Sequence, residues 1–279
     1  MRLRGIRRST NVERRSGGGR RRAGGKGGLG IAGVLLVLAI GYFTGIDVSP
    51  LLQGGSIQQE PRQVTQVNDA SATFSAQVLT TTEDVWTDVF RTQLDRAYTP
   101  PTLVLFSGVT QSPCGGASGA TGPFYCPADS KAYLDTSFFT ALDRQMGAGG
   151  DFAAAYVIAH EVAHHVQNEL GVLSQVNAAR QRASEVEANA LTVRLELMAD
   201  CFSGIWARNV QGLMERGDLE EALNAARKIG DDHLQRQAGR VPQPHTFTHG
   251  TSEQRARWFA RGFDTGAVNE CDTFAATRL

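Results

Sequence analysis

The chain has 279 residues, of which 41% are hydrophobic and 20% are charged. This length and apolar fraction exclude a disordered chain and allow one or two domains with a sizeable core. Residues 1–28 carry ten basic side chains and one acidic one, a net charge of +9. The remaining 251 residues carry 18 basic and 27 acidic side chains, a net charge of −9. An acidic body is unlike a nucleic-acid-binding domain, so we expect no nucleic-acid partner.

The amino-terminal part predicts a membrane anchor. Residues 29–46 (LGIAGVLLVLAIGYFTGI) are uncharged and reach the lower limit of a bilayer-spanning helix. Basic residues precede this run, so the positive-inside rule predicts that residues 1–28 form a basic cytoplasmic tail. Within this tail, the Gly-rich run Ser16–Gly28 is predicted to be flexible. A cleaved signal peptide and a buried core helix are the alternatives. Residues 47–68 are polar, with Gly, Pro and Gln, and predict a linker to a folded domain at residues 69–279, across the membrane.

The pattern within the domain predicts short strands followed by helices, an α+β class. The predicted strands are Thr102–Phe106, Phe124–Cys126 and Ala132–Asp135. Between the first two of these strands, Gly108–Gly122 is rich in Gly, Ser and Thr and predicts a loop. The predicted helices are Phe74–Ala97, Thr136–Met146, Asp151–Leu170, Gln175–Val210, Leu219–Gln237 and Ser252–Phe263.

The strongest predicted helix carries the motif HEVAH, an HExxH pattern. His160 and His164 lie at i and i+4, so both imidazoles face the same side of the helix and can bind one Zn²⁺. Glu161 follows the first histidine and is close enough to take a proton from a water at the metal. This spacing predicts a catalytic zinc site.

A catalytic zinc usually has three protein ligands, so one more is needed. Glu196 and Asp200 lie one turn apart on the next long helix, among apolar residues that make an unneutralised carboxylate costly. We predict Glu196 as the third ligand and Asp200 as the acceptor that orients a ligand histidine. Glu185 and Glu187 are rival ligands on a more polar segment. A salt bridge with Arg194 or with another helix is the alternative for Asp200.

The four cysteines predict an oxidising exterior, on the side that the predicted topology gives the domain. Cys114 and Cys126 close a short Gly-rich loop, which leaves Cys201 and Cys271 to tie the carboxy-terminal tail to the Glu196 helix. Free buried thiols are the alternative. No CxxC spacing suggests a second zinc site.

Three motifs in order give a family resemblance that covers nearly the whole chain. HEVAHHVQ, LELMADCFSGIWA and FTHGTSEQRARWFARGF follow a basic amino terminus, RGIRRSTNVERR. The chain resembles the bacterial putative neutral zinc metallopeptidase family. The resemblance implies a zincin fold with a glutamate as third ligand, as in thermolysin and the membrane-bound Glu-zincins. It assigns the metal ligands to His160, His164 and Glu196 and the catalytic carboxylate to Glu161. Asp200 matches the aspartate of the family's ExxxD pair.

The remaining site predictions concern substrate and transition state. Zincins usually bind substrate along a sheet edge, and Ala132–Asp135 is the predicted edge. His249 resembles the downstream histidine of related membrane proteases and is our candidate for stabilising the oxyanion. Tyr156 and His245 are weaker candidates. Two histidines are assigned to packing or to the surface, His165 and His233.

These observations predict a zinc endopeptidase of the bacterial cytoplasmic (inner) membrane. It would be a single-pass protein that cleaves extracytoplasmic proteins or peptides on the periplasmic side. A catalytically silent zincin scaffold that binds cell-envelope proteins or peptides is the first alternative. A zinc amidase acting on peptidoglycan is the second, and the shape of the cleft would distinguish it.

Overall fold

The computed structural model describes residues 1–15, 69–118 and 122–279. These residues form an α+β domain with small sheets and eight α-helices. The strands are β1 Val12–Arg15, β2 Thr102–Phe106, β3 Val109–Ser112, β4 Gly115–Ser118, β5 Phe124–Cys126 and β6 Lys131–Asp135. The helices are α1 Asp69–Gln93, α2 Phe138–Arg144, α3 Asp151–Glu169, α4 Val172–Arg180, α5 Glu185–Asn209, α6 Asp218–Lys228, α7 Asp231–Gln237 and α8 Ser252–Thr265.

The main sheet has four strands in the order β1-β2-β6-β5. β1, β2 and β6 run parallel, and β5 pairs antiparallel with β6. The prediction that Ala132–Asp135 forms an exposed edge is therefore wrong, because β6 lies between β2 and β5 in the sheet. The edge strands are β1 and β5. A periodicity argument locates a strand but contains no information about its neighbours.

The segment predicted as loop over Gly108–Gly122 contains a second, two-stranded antiparallel sheet of β3 and β4. Its strands are short and rich in Gly, Ser and Thr, so they lack the apolar alternation that predicts a strand. Cys114 and Cys126 form a disulfide that ties this hairpin to the edge strand β5. The predicted pairing of Cys201 with Cys271 is also present.

Two predicted long helices are each divided into two. The predicted helix over residues 175–210 is α4 followed by α5, because Ser184 begins a new helix with a capping box. The Ser184 side chain accepts from the Glu187 amide, and the Glu187 carboxylate accepts from the Ser184 amide. The predicted helix over residues 219–237 is α6 followed by α7, with Gly230 as the N-cap of the second helix.

The prediction that residues 1–28 form a tail separate from the domain is wrong for residues 1–15, which are part of the domain. β1 pairs with β2, and the side chains of Met1 and Leu3 are buried in the main core. The Met1 amino group lies 2.8 Å from both carboxylate oxygens of Asp151, the first residue of α3. Arg7 pairs with Glu83 and with its neighbour Asp84 on α1. Arg7, and likewise Arg14 with Asp69, thus meet acidic residues of the body.

This packing bears on the predicted topology. A chain that crosses a bilayer once has its two flanks on opposite faces, whereas the β1–β2 pairing requires residues 1–15 and 69–279 to lie on the same face. A single membrane crossing between these two parts and the β1–β2 pairing therefore cannot both exist in one folded molecule. The predicted span at residues 29–46 and the linker at residues 47–68 lie outside the described residues. Among the helices that are described, none has the length and apolar character of a membrane span.

Candidate metal centre

The HExxH motif lies in the middle of α3, a helix that is buried on all sides from Phe152 to Ala163. Burial on every face explains why this helix has an almost continuous apolar sequence around the motif. The imidazole rings of His160 and His164 are neighbours, with ring centroids 4.9 Å apart. The helix period therefore brings both rings to one point, as the i, i+4 spacing predicts.

Glu196 on α5 faces this point. Its carboxylate oxygens lie 3.1 Å from Nε2 of His160 and 3.5 Å from Nε2 of His164. A tetrahedral zinc with bonds of ~2.0–2.1 Å has ligand atoms about 3.3 Å apart, so the observed separations fit this ion. Two imidazole nitrogens and one carboxylate are also a ligand set typical of catalytic zinc. These three residues could hold a metal ion, and their ligand atoms lie within 4.8 Å of one another.

Asp200 lies behind His160, one turn along α5 from Glu196. Its Oδ1 atom is 3.0 Å from Nδ1 of His160, although the alignment falls short of a good hydrogen bond. Arg255 of α8 binds both oxygens of Asp200, at 2.8 and 2.9 Å, and the Tyr156 hydroxyl donates to Oδ1 at 2.5 Å. Burial alone would raise the pKa of Asp200, but the Arg255 guanidinium and His160 hold it below its usual range.

Close packing of α5 and α8 makes the Arg255–Asp200 pair possible. A Cβ atom at Gly204 would overlap the Phe259 carbonyl oxygen, and one at Gly262 would overlap the Cys201 carbonyl oxygen. Two glycines therefore allow the helix backbones to touch. The disulfide of Cys201 holds the carboxy-terminal segment beside the same crossing.

Glu161 lies beside the two histidines and is 8% exposed. Burial raises the pKa of its carboxyl group, and the neighbouring histidines oppose that shift. A carboxylate with a raised pKa at a metal site is suited to accepting a proton from water near neutral pH and releasing it again.

His249 lies in the loop before α8, on the wall of the same cleft. The Asp231 carboxylate accepts hydrogen bonds from the backbone amides of Thr248, His249 and Gly250 and lies 3.3 Å from the His249 Nδ1. Desolvation lowers the pKa of His249, but the Asp231 and Glu196 carboxylates raise it more, so the net shift is upward. The side chain remains 49% exposed, so the ring is accessible to a ligand in the cleft.

A cleft of about 830 Å³ opens onto these residues. Its remaining walls are largely apolar, and one of them is the free edge strand β5. The apolar lining includes Phe124, Phe138, Met146, Leu173, Ile229 and Leu234.

Several predicted alternatives lie elsewhere or have other partners. Glu185 and Glu187 are exposed at the start of α5. Arg194 donates to carbonyls of the carboxy-terminal segment rather than to Asp200. His245 is exposed and does not line the cleft, whereas Tyr156 lines it with its hydroxyl bound to Asp200.

Of the two histidines assigned to packing or the surface, His165 is buried and His233 is partly exposed. His165 lies between the Tyr125 hydroxyl, at 3.0 Å, and the Thr99 carbonyl, at 2.6 Å.

The sequence reasoning missed two charged residues at the site, Arg255 and Asp231. Arg255 lies within the quoted motif FTHGTSEQRARWFARGF, and its spacing on an amphipathic helix could have marked it as inward-facing. Asp231 offered no such signal, because it lies in the first turn of a short polar helix, where acidic residues are common.

An α+β domain in which an HExxH helix faces a glutamate on a second helix has the site of a zincin-type metallopeptidase. The family model described as "Putative neutral zinc metallopeptidase" matches residues 1–274, so the chain belongs to this family.

The chain is also similar to bacterial proteins that carry no functional description. The uncharacterised protein YpfJ of Escherichia coli K12 is 48% identical over 98% of this chain and 99% of its own length. The uncharacterised protein Rv2575 of Mycobacterium tuberculosis is 44% identical over 65% of each chain. No solved structure matches the chain.

Proposed function

We propose that this protein is a zinc-dependent endopeptidase that hydrolyses peptide bonds in extracytoplasmic proteins. The observation that carries the proposal is the convergence of His160, His164 and Glu196 on one point, with Glu161 adjacent and a large cleft in front. Two disulfides support an extracytoplasmic location, because such bonds persist in oxidising compartments. Attachment to a membrane through residues 29–46 remains a prediction, but not as the single crossing that the pairing of β1 with β2 excludes.

The chemistry divides between the metal and the chain. Zinc, when bound, would lower the pKa of a water molecule and polarise the substrate carbonyl. Glu161 would accept the proton that this water loses as it attacks the carbonyl carbon. Glu161 would then donate that proton to the nitrogen of the leaving amine as the peptide bond breaks.

His249 would stabilise the transition state. Asp231 binds the backbone of the loop and faces the Nδ1 atom, so the ring is held with its Nε2–H free. The upward shift of its pKa favours the imidazolium, which can donate a charge-assisted hydrogen bond to the developing oxyanion. This role makes Asp231 a positioning residue that acts through His249.

The cleft favours an extended peptide as substrate. Within the described residues, β5 pairs with β6 on one side only, and it borders the cleft with Phe124 and Tyr125. An extended substrate can add to such a free edge by main-chain hydrogen bonds. The apolar lining would accept hydrophobic side chains next to the scissile bond.

Hydrolysis of unfolded casein by the full chain tests the proposal. Wild-type protein should cleave casein, lose activity to a chelator and recover it with added zinc. Glu161→Gln should lower kcat/KM by about 10²–10⁴-fold with its zinc content unchanged. Glu185→Gln is the matched control, because this exposed glutamate was a rival ligand and should behave as wild type.

The outcomes separate the possible functions. A wild-type protein that binds no zinc contradicts the proposal. Zinc binding without hydrolysis of casein or of cell-envelope proteins would favour the silent scaffold. Hydrolysis of peptidoglycan amides but of no protein would favour the amidase.

A further inference from the structure

Gln167 is a fully buried polar residue one turn beyond His164 on α3, and the proposed reaction does not use it. Its side-chain amide has two partners on opposite sides. The Nε2 atom donates to the main-chain carbonyl of Leu195 at 2.7 Å, and the Oε1 atom lies 2.9 Å from Nδ1 of His164. Leu195 is the residue immediately before Glu196. One side chain therefore connects the second histidine to the helix that carries the third predicted ligand.

These two contacts determine the orientation of the amide. A main-chain carbonyl can only accept, so the NH₂ group of Gln167 must face Leu195. The amide oxygen then faces His164 and can only accept, so the Nδ1 atom of His164 carries a hydrogen. In the neutral ring this leaves the lone pair on Nε2, the atom that lies 3.5 Å from Glu196. The Leu195 carbonyl thus selects, through Gln167, the tautomer that can bind a metal.

We propose that Gln167 is a positioning residue for the metal centre, which extends the functional motif from HExxH to HExxHxxQ. It fixes the tautomer and ring orientation of His164 and the placement of α3 against α5 at Glu196. The two histidines then have unlike supports, since His160 faces the charged Asp200–Arg255 pair and His164 a neutral amide. The inference rests on the proposed zinc site, because it concerns how tightly that site binds its ion.

Zinc affinity tests this role independently of activity. Competition with a chromophoric chelator on the full chain would compare wild type with Gln167→Met, which keeps the shape of the side chain and removes both hydrogen bonds. Loss of such a supporting contact should weaken zinc binding by about 10–100-fold. Gln167→Glu keeps an acceptor opposite His164 but loses the donor to the Leu195 carbonyl, so it should recover only the part of the affinity that depends on the His164 contact.

A matched control separates positioning from stability. Gln77 of α1 donates to the main-chain carbonyls of Leu3 and Ile6, far along the chain from the metal centre. Gln77→Met should lower the melting temperature and leave zinc affinity unchanged. NMR detection of the His164 ring nitrogens in wild-type protein needs no variant and should show the hydrogen on Nδ1.

Three results are distinguishable. If wild type binds no zinc, the proposed function fails. If wild type binds zinc and Gln167→Met binds it equally well, the inference about Gln167 fails and the proposed function stands. A hydrogen on Nε2 of the neutral His164 ring would overturn the inference even if the Gln167 variants did not fold.

Discussion

The metal centre and the amino-terminal segment both place charged side chains against opposite charges, but at very different depths. Asp200 and Arg255 are 0% and 2% exposed, whereas Arg7 is 56% exposed and Arg14 47%. A buried pair without its partner is strongly destabilising, while an exposed pair contributes about 0–1 kcal/mol. The centre therefore depends on its charges, whereas the arginine pairs of the segment contribute little beside its strand pairing and the burial of Met1 and Leu3.

The two regions also differ in how well they could be predicted from the sequence. The HExxH spacing is local, since two ligands and a base lie within five residues of one helix. The contacts that tie residues 1–15 to α1, β2 and the hairpin span more than fifty residues of sequence. A run of arginines alone predicts a cytoplasmic tail, because nothing within it indicates the acidic surface that it contacts.

The packing of residues 1–15 against the domain predicts that both parts lie on the same side of the cell membrane. Arg4 and Val241 are exposed positions in the two parts of the fold, and the four native cysteines are paired. Single cysteines introduced as Arg4→Cys and Val241→Cys should react alike with a membrane-impermeant maleimide in intact cells. Each should also react in permeabilised cells, as the positive control. Labelling of one site alone would show that the segment and the domain lie on opposite sides of a membrane.

Removal of residues 1–15 should have the largest effect on stability. Burial of Met1 and of Leu3 contributes about 1.5–3 kcal/mol each, against a total of about 5–15 kcal/mol for a typical domain. A chain that begins at residue 16 should therefore melt at a much lower temperature. Arg14→Ala removes only an exposed ion pair, and its melting temperature should stay close to that of wild type. Equal melting of the truncated and full chains would contradict this account of the segment.

Arg255→Met should lower the free energy of unfolding by about 3–5 kcal/mol, because Asp200 would remain buried without its counter-charge. Arg236→Met is the matched control, since this 61% exposed arginine pairs with Asp232 across one helical turn. Arg236→Met should lower the free energy of unfolding by no more than ~1 kcal/mol. Denaturant unfolding of both variants measures the difference, and equal losses would refute the contrast between buried and exposed pairs.

Asp231→Asn should have a clearer effect on catalysis than on stability, because an asparagine oxygen can still accept from the backbone amides of the loop. The Asp231 carboxylate raises the pKa of His249, so its loss should lower that pKa. If the imidazolium is the active form, it would then be lost at lower pH, and the alkaline limb of the pH–rate profile should move to lower pH. His249→Ala should remove that limb and reduce kcat by about 10²–10³-fold. An unchanged profile in Asp231→Asn would exclude this role.

Local patterns predicted much of the secondary structure. Thr102–Phe106 and Phe124–Cys126 have the predicted bounds, and α3 ends one residue before its predicted end. The order of strands in the sheet was not predictable, since the position of β6 between β2 and β5 depends on pairing between distant segments. β1 was missed because its sequence VERR has almost no apolar residues.

The residues of the metal centre likewise divide into those that local sequence predicts and those that depend on distant segments. His160, Glu161 and His164 are given by spacing on one helix, and Glu196 by helical period and apolar surroundings. Asp231 and Gln167 depend on how loops and helices meet, so their local sequences gave no signal, whereas the helical spacing of Arg255 marks it as inward-facing without indicating its partner.

X-ray absorption at the zinc edge of the full chain tests the central claim most directly. We predict one zinc per chain, coordinated by two imidazole nitrogens and by oxygen donors at about 2.0–2.2 Å, with no sulfur. Glu196→Ala should remove one oxygen donor or the zinc itself. Thiolate ligation, or a wild-type chain without zinc after folding in its presence, would contradict the assignment of His160, His164 and Glu196 as a zinc site.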